Sequence, residues 1–432
     1  VRALNKLSYL KSIYLVAGLG LLSDVSLAHF DRKGCIEFVR SALKRPSVDT
    51  YTKDRPLKIF VSSGFPRGGF GDVAANLVMA KRIKENLDHK NIPNIVAVLV
   101  EGFSESFVEK LIPEYQRESK TAVEWNGVLI ASHQVVPHSK ADIGFGFSML
   151  DETHQALRMT VHSNPVFLFK EPFSSSPLER EMALTNRIVD KREGISLHVG
   201  ADSLGLYLSS PGVTAVPKFS KNELIQRFEL PANTRIAFSY SHFSYATAAY
   251  LQILAQLLES DTTTPVVLFT KGYSHLSFDL LPKNVIVRVD TPLSLDESES
   301  LIAHADFPVL VTGDTSLALA IEHGTPFIYE MVPWKDIHTL RIYESLAAYA
   351  DKFAFDQSTP AQIAEFKDLM SKLLFTIPGH DVRLPLKPVQ QTTHQDIVKF
   401  FKNPKFVEYF KFVMQKFKNQ ASLTEAVEAF IF

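Results

Sequence analysis

The chain has 432 residues, with 46 Lys plus Arg against 47 Asp plus Glu, for a net charge of -1. That balance excludes a general nucleic-acid binder, and 46% hydrophobic residues leave room for two ordinary cores. Cys35 is the only cysteine, so an internal disulfide and a cysteine-rich zinc site are excluded; a reducing compartment is expected, the cytoplasm, including that of a host cell.

Arg2, Lys6 and Lys11 precede an apolar run at 12–22, superficially like a secretory signal. The run falls short of the roughly 20 residues a membrane-spanning helix needs, and the expectation is a buried helix with no transmembrane segment. Cys35, Phe38, Val39 and Leu43 are spaced helically, and Pro46 stops that helix. The first 56 residues thus read as a helical extension.

A strand is expected at 59–61, followed by Gly64, Gly68, Gly69, Gly71 and Asp72, then a helix carrying Ala74, Leu77, Val78 and Lys81. A glycine-rich turn between strand and helix lets a ligand approach the backbone. The order is not that of the dinucleotide fingerprint, and no Gly-Lys-Ser/Thr follows. Further strands are expected at 95–100, 128–131, 143–147, 165–169 and from 195, with helices at 104–115 and 219–229. Pro231 to Thr234 reads as a boundary.

A second alternation begins at Ile236. Strands are expected at 236–240, 265–270, 285–289, 309–311 and 327–329, with helices at 245–258, 296–305 and 316–323. Gly313, Asp314, Thr315 and Ser316 form a polar turn ahead of the last of these helices. Gly324 and Pro326 end it. A strand, a small polar turn and a helix N-terminus make an anion site, because the first amides have no internal partner. The alternative is that Asp314 or Thr315 simply caps the helix. The tail from 393 reads as helical with a break at Pro404. Its phenylalanines, interspersed with lysines, suit packing on the body, and a membrane or RNA face is the alternative.

The chain is thus expected to be α/β, with two Rossmann-like domains facing across a cleft. The expected parts are 1–56, 57–232, 233–378 and a helical tail at 379–432. Gly68 to Asp72 would form one wall and Gly313 to Ser316 the other, suited to moving a group off a nucleoside diphosphate. Asp72 is the candidate general base, with an N-cap carboxylate as its alternative. Gly69, Gly71, Ser239, Tyr240, Lys271, Asp314, Thr315, Ser316 and Glu330 are the candidate donor-binding residues. No Asp-x-Asp cluster stands at a strand end, so neither a metal nor a cofactor beyond the nucleotide sugar is expected.

The two-domain layout and both turns resemble glycosyltransferases of the GT-B architecture. Phe70-Gly71-Asp72-Val73, with Ala80 to Ile83, is similar to the first turn of the bacterial protein-arginine rhamnosyltransferases that modify elongation factor P. Gly313 to Ser316, Ala320, Gly324 to Phe327 and Pro333 resemble the donor-phosphate segment of that family. The family's acidic pair is Asp314-Thr315 here. The resemblance implies a metal-independent transferase acting on a protein or glycan acceptor, with Asp72 as base and Asp314, Thr315 and Ser316 at the donor phosphates. A sugar-nucleotide epimerase or hydrolase of the same fold, or a non-catalytic binding module, are the competing expectations.

Overall fold

The computed structural model describes residues 47–63, 70–100, 102, 104–116, 121–132, 141–147, 166–170, 189–191, 194–198, 205–273, 276–332, 336–352, 359–375 and 394–432. The apolar run at 12–22, Cys35 and Gly69 lie outside them. The chain divides into two compact units: residues up to Val213 with Ala421–Phe432, and Thr214–Gln420.

The first unit is built on one eight-stranded sheet. In chain order its elements are β1 (Leu57–Ser62), α1 (Phe70–His89), β2 (Asn94–Val100), α2 (Glu105–Leu111), β3 (Val123–Trp125), β4 (Val128–Ser132), β5 (Ile143–Phe147), β6 (Val166–Lys170), β7 (Val189–Lys191) and β8 (Gly194–His198). The spatial order is β3-β4-β2-β1-β5-β6-β8-β7. Six strands are parallel, and β3 and β7 are antiparallel edges. The parallel strands thus run 3-2-1-4-5-6, the doubly wound order, which reverses between β1 and β5. β1, β2 and β5 are nearly continuous apolar runs because helices cover both faces of such a sheet.

The second unit repeats the plan. It contains α3 (Lys221–Arg227), β9 (Arg235–Ser239), α4 (Ser244–Leu258), β10 (Val266–Thr270), β11 (Val285–Val289), α5 (Leu295–Ala303), β12 (Val309–Thr312), α6 (Asp314–Glu322), β13 (Phe327–Glu330), α7 (Asp336–Lys352), α8 (Pro360–Ser371), β14 (Leu374–Phe375), α9 (His394–Lys402) and α10 (Pro404–Lys418). All six strands are parallel in the order β11-β10-β9-β12-β13-β14, again 3-2-1-4-5-6. This sheet reverses between β9 and β12.

Local sequence sets the helix starts. Ser220 with Glu223, Ser294 with Glu297, and Thr359 with Gln362 form capping boxes, and Pro360 and Pro404 open their helices. The aromatic tail packs inward: Phe400, Phe406, Tyr409 and Phe410 are buried, with Tyr409 and Phe366 ring centroids 4.3 Å apart. This is the packing role anticipated for its phenylalanines, each worth roughly 1.5–3 kcal/mol when buried.

Two boundaries differ from the expected ones. The units divide at Val213/Thr214, ahead of the break expected at 232, because the segment around α3 is tied to α5. Lys218 pairs with Asp296 at 2.8 Å, Arg227 pairs with Glu297, and the Phe219 N–H donates to Ser300 Oγ at 3.1 Å. The tail is also shared. α11 (Leu423–Ile431) belongs to the first unit, where Leu206 bridges Ser422 in parallel and α11 packs on α1. Gly205 permits this return: its φ is +112°, and a Cβ there would stand 2.3 Å from the Ala421 carbonyl oxygen.

Candidate functional site

Open parallel sheets take ligands beyond the C-terminal strand ends, where the order reverses. In the second unit that point lies between the turn after β9 and the turn after β12. The two strands are tied there by the Tyr240 N–H donating to the Leu310 carbonyl at 2.8 Å. Both turns carry residues singled out from the sequence.

The β12–α6 turn is tighter than expected. Gly313 is the N-cap, with φ +77° and ψ 163°, and α6 begins at Asp314, two residues ahead of the expected start. Asp314 and Thr315 therefore lie in the helix itself, 3% and 8% exposed. Burial turns both side chains into the protein. Ser316 donates its hydroxyl to the Thr312 carbonyl one turn back, so its proton is committed to the backbone. What the turn offers a ligand is backbone. A Cβ on Gly313 would meet nothing within 4 Å, so the ground before it is open, yet its φ admits only glycine without strain.

The β9–α4 turn is held differently. Ser239 is buried, and its hydroxyl makes no hydrogen bond among the described residues. Tyr240 is 43% exposed. The Ser241 hydroxyl meets Thr247 Oγ1 at 2.6 Å, and the Tyr273 hydroxyl donates to the Ser241 carbonyl at 3.0 Å. Glu330, at the end of β13, is fully buried. Its carboxylate accepts the N–H of Phe243 at 2.9 Å and that of His242. Glu330 was expected to touch the donor; the structure places it beneath the turn, on backbone amides. Burial raises its carboxyl above the ordinary range, against the lowering effect of those two amides. Burial, and then the charge of Glu330, likewise push the Tyr245 phenol up.

Lys271 follows β10, exposed, with its ammonium 5.4 Å from the centre of the Tyr273 ring. The Gly272 N–H donates to Asp290 Oδ1 at 2.9 Å, and a Cβ on Gly272 would fall 2.4 Å from Asp290 Oδ2. That contact fixes the backbone beside Lys271.

In the first unit the sheet reverses between β1 and β5. Gly71 and Asp72 follow β1, inside the first turn of α1. Gly71 is exposed with open space where a Cβ would stand, and Asp72 is half-buried. A carboxylate in the first turn is favoured by the helix dipole. One turn on, the buried Asn76 amide donates to the Phe147 carbonyl at 2.6 Å and to the Asp72 carbonyl at 2.8 Å. Its oxygen accepts the Phe147 N–H at 2.8 Å. Asn76 thus staples α1 to the end of β5.

The Gly313 turn and, in the first unit, Gly71 and Asp72 sit at the reversal point of their own sheets, while positions 64–69 of the first glycine turn lie outside the described residues. Among the described residues, no group of three or more His, Cys, Asp or Glu is placed to hold a metal ion, and no helix is long and apolar enough to cross a membrane. Glu330 as a turn clamp and Asn76 as a staple were not foreseen. The signal for Glu330 was a carboxylate ending the apolar strand Phe327–Glu330, where an ionised group needs partners.

No family model matches the chain, and no curated protein matches it. Among solved structures it is similar to the glycosyltransferase SnogD from Streptomyces nogalater, at 10% identity over 86% of this chain and 98% of that one, TM-score 0.41. It is also similar to spinosyn forosaminyltransferase SpnP, at 11% identity, 86% and 98% coverage, TM-score 0.44. A third is WaaG, a glycosyltransferase involved in lipopolysaccharide biosynthesis, at 12% identity, 86% and 98% coverage, TM-score 0.37.

Proposed function

We propose that the chain is a glycosyltransferase that moves a sugar from a nucleotide-diphosphate donor to a protein or glycan acceptor. The observation that carries this reading is the open, glycine-only turn at Gly313, at the reversal point of the second sheet and opening onto a helix N-terminus. Such a turn suits a diphosphate: it supplies N–H groups and the positive end of a dipole, and leaves the approach clear of side chains. Lys271 adds a positive charge on a neighbouring strand end.

In this reading the acceptor attacks the anomeric carbon, and the bond from that carbon to the β-phosphate oxygen breaks. The nucleoside diphosphate leaves with its charge held by the α6 amides. Asp72 takes the proton lost by the acceptor, a role its half-buried carboxylate suits. The N–H groups at the turn supply leaving-group stabilisation without a metal ion. The narrower likeness to protein-arginine rhamnosyltransferases rests on its two sequence patches and makes an arginine side chain the first acceptor to try.

The test is calorimetry with uridine and deoxythymidine diphosphates and with their sugar conjugates, on the full chain and on Gly313→Val. Binding that weakens at least tenfold in the variant supports the reading. If the unaltered chain binds none of them, the reading is lost. Release of free sugar without an acceptor redirects it to a hydrolase.

A further inference from the structure

Two helices start at the reversal point of the second sheet, and the chain treats their N-termini in opposite ways. Ahead of α6 stands Gly313, with open space where a side chain would be. Ahead of α4 stand His242 and Phe243, and their N–H groups are already donated to the Glu330 carboxylate. The ordinary ligand of a helix N-terminus is an anion. At α4 that anion belongs to the protein, delivered by β13, 87 residues further along.

The location of this carboxylate matters more than its charge alone. It is fully buried, so it cannot turn to solvent to make way for a second anion. A phosphate arriving at α4 would meet a like charge in a medium that screens poorly. Burial, and then the charge of Glu330, push the phenols of Tyr240, Tyr245 and Tyr273 up, and the Lys271 ammonium is among the groups that hold the Glu330 carboxyl down against its burial.

We infer that Glu330 is a positioning residue: it closes the α4 N-terminus to anions, fixes the β9–α4 turn, and so directs the phosphates of a nucleoside diphosphate to the Gly313 turn. The inference rests on the nucleotide-sugar reading for its ligand, and on hydrogen bonds in the free protein for its clamp. The clamp is therefore measurable without any ligand.

The experiment compares the full-length chain with Glu330→Gln, which is nearly the same shape, and with Glu330→Ala. Hydrogen exchange is followed in the peptide spanning 240–245, with the β10 peptide of the same unit as internal control. Inorganic pyrophosphate and uridine diphosphate are titrated by calorimetry. A carboxamide keeps one acceptor and turns a donor toward the other amide. Exchange at 240–245 is expected to rise tenfold or more in both variants, with β10 unchanged. Pyrophosphate is expected to bind once to the unaltered chain and twice to Glu330→Ala, which removes both the charge and the side chain that fills the space before the two amides. Unchanged exchange in both variants overturns the inference, as does a pyrophosphate stoichiometry that stays at one. If exchange rises in both variants but the unaltered chain binds neither ligand, the nucleotide reading fails and the clamp on the turn stands. Loss of β10 protection in Glu330→Ala would mark unfolding of the second unit, and exchange in Glu330→Gln then decides.

Discussion

The two sheets share one strand order and differ in what ties their reversal points. In the first unit the tie is Asn76, a neutral amide that donates to the Phe147 carbonyl and accepts the Phe147 N–H. In the second it is Glu330, a carboxylate that only accepts, from two N–H groups. A neutral staple matches a donor and an acceptor and presents no charge to a ligand. A carboxylate can take two donors, at the cost of burying a charge, and it changes the local field. One sheet is therefore closed in a way indifferent to charge, and the other in a way that sorts charges. The same topology carries two different devices.

The sharpest way to separate the units is through activity. Asp72→Asn keeps the shape of α1 and removes the carboxylate proposed as the base, so transfer is expected to fall by about a hundredfold or more, while nucleoside diphosphate binding stays within twofold. Equal loss of binding and transfer would place Asp72 in the donor site. Next in size is the staple. Asn76→Ala removes all three hydrogen bonds of the staple, to the Asp72 carbonyl and to the Phe147 N–H and carbonyl, and is expected to cost about 2–4 kcal/mol in urea unfolding, on the general scale for buried hydrogen bonds. An effect below about 1 kcal/mol would mean that β5 and α1 hold together without it. Gly313→Ala should cost less, about 1–2 kcal/mol, because a side chain must adopt a left-handed φ there. Its larger signature is weakened nucleotide binding with Asn76 untouched.

The smallest effect is a slope. Glu297 sits in the capping box of α5; burial pushes its carboxyl up, but the Ser294 N–H and Arg227 outweigh this and hold it below the ordinary range. The stability it contributes is present above the ordinary carboxylate range and is lost as pH falls through its lowered value. Glu330 is raised, so its contribution is present at low pH and is lost as pH rises through the raised value. Between pH 4 and 8, the deficit of Glu297→Gln should therefore grow with pH, and that of Glu330→Gln should shrink. Thermal melts across that range measure both; slopes of the same sign would refute the assignment. The Glu297 deficit at neutral pH is expected at about 1 kcal/mol, the usual scale of a cap.

Much of the frame was legible because it is written locally. The apolar run Val309 to Val311, the stop at Gly324 and Pro326, and the alternation from Ile236 onward each follow from spacing within a few residues. So does the turn at Gly313. What escaped depends on partners far along the chain. Asp314 and Thr315 looked like an open polar turn because their burial is set by packing around α6, not by their own chemistry. Glu330 looked available because its two partners lie in another turn. α7 and α8 drew no assignment, and β3, β7 and β14 are too short to show a period. The return of α11 to the first unit depends on Gly205 and Ala421, residues separated by the whole second unit.

That return has a consequence for how the protein is made. The second unit is one unbroken segment, Thr214–Gln420, whereas the first needs Ala421–Phe432 to be whole. On a ribosome, domains ordinarily mature from the N-terminus onward. Here the later unit has every residue in hand before the earlier one does. Nascent first unit must wait, with the Leu206 edge and the Asn86 and Lys90 side of α1 uncovered, until Ser422 and Glu428 emerge behind the whole of the second unit.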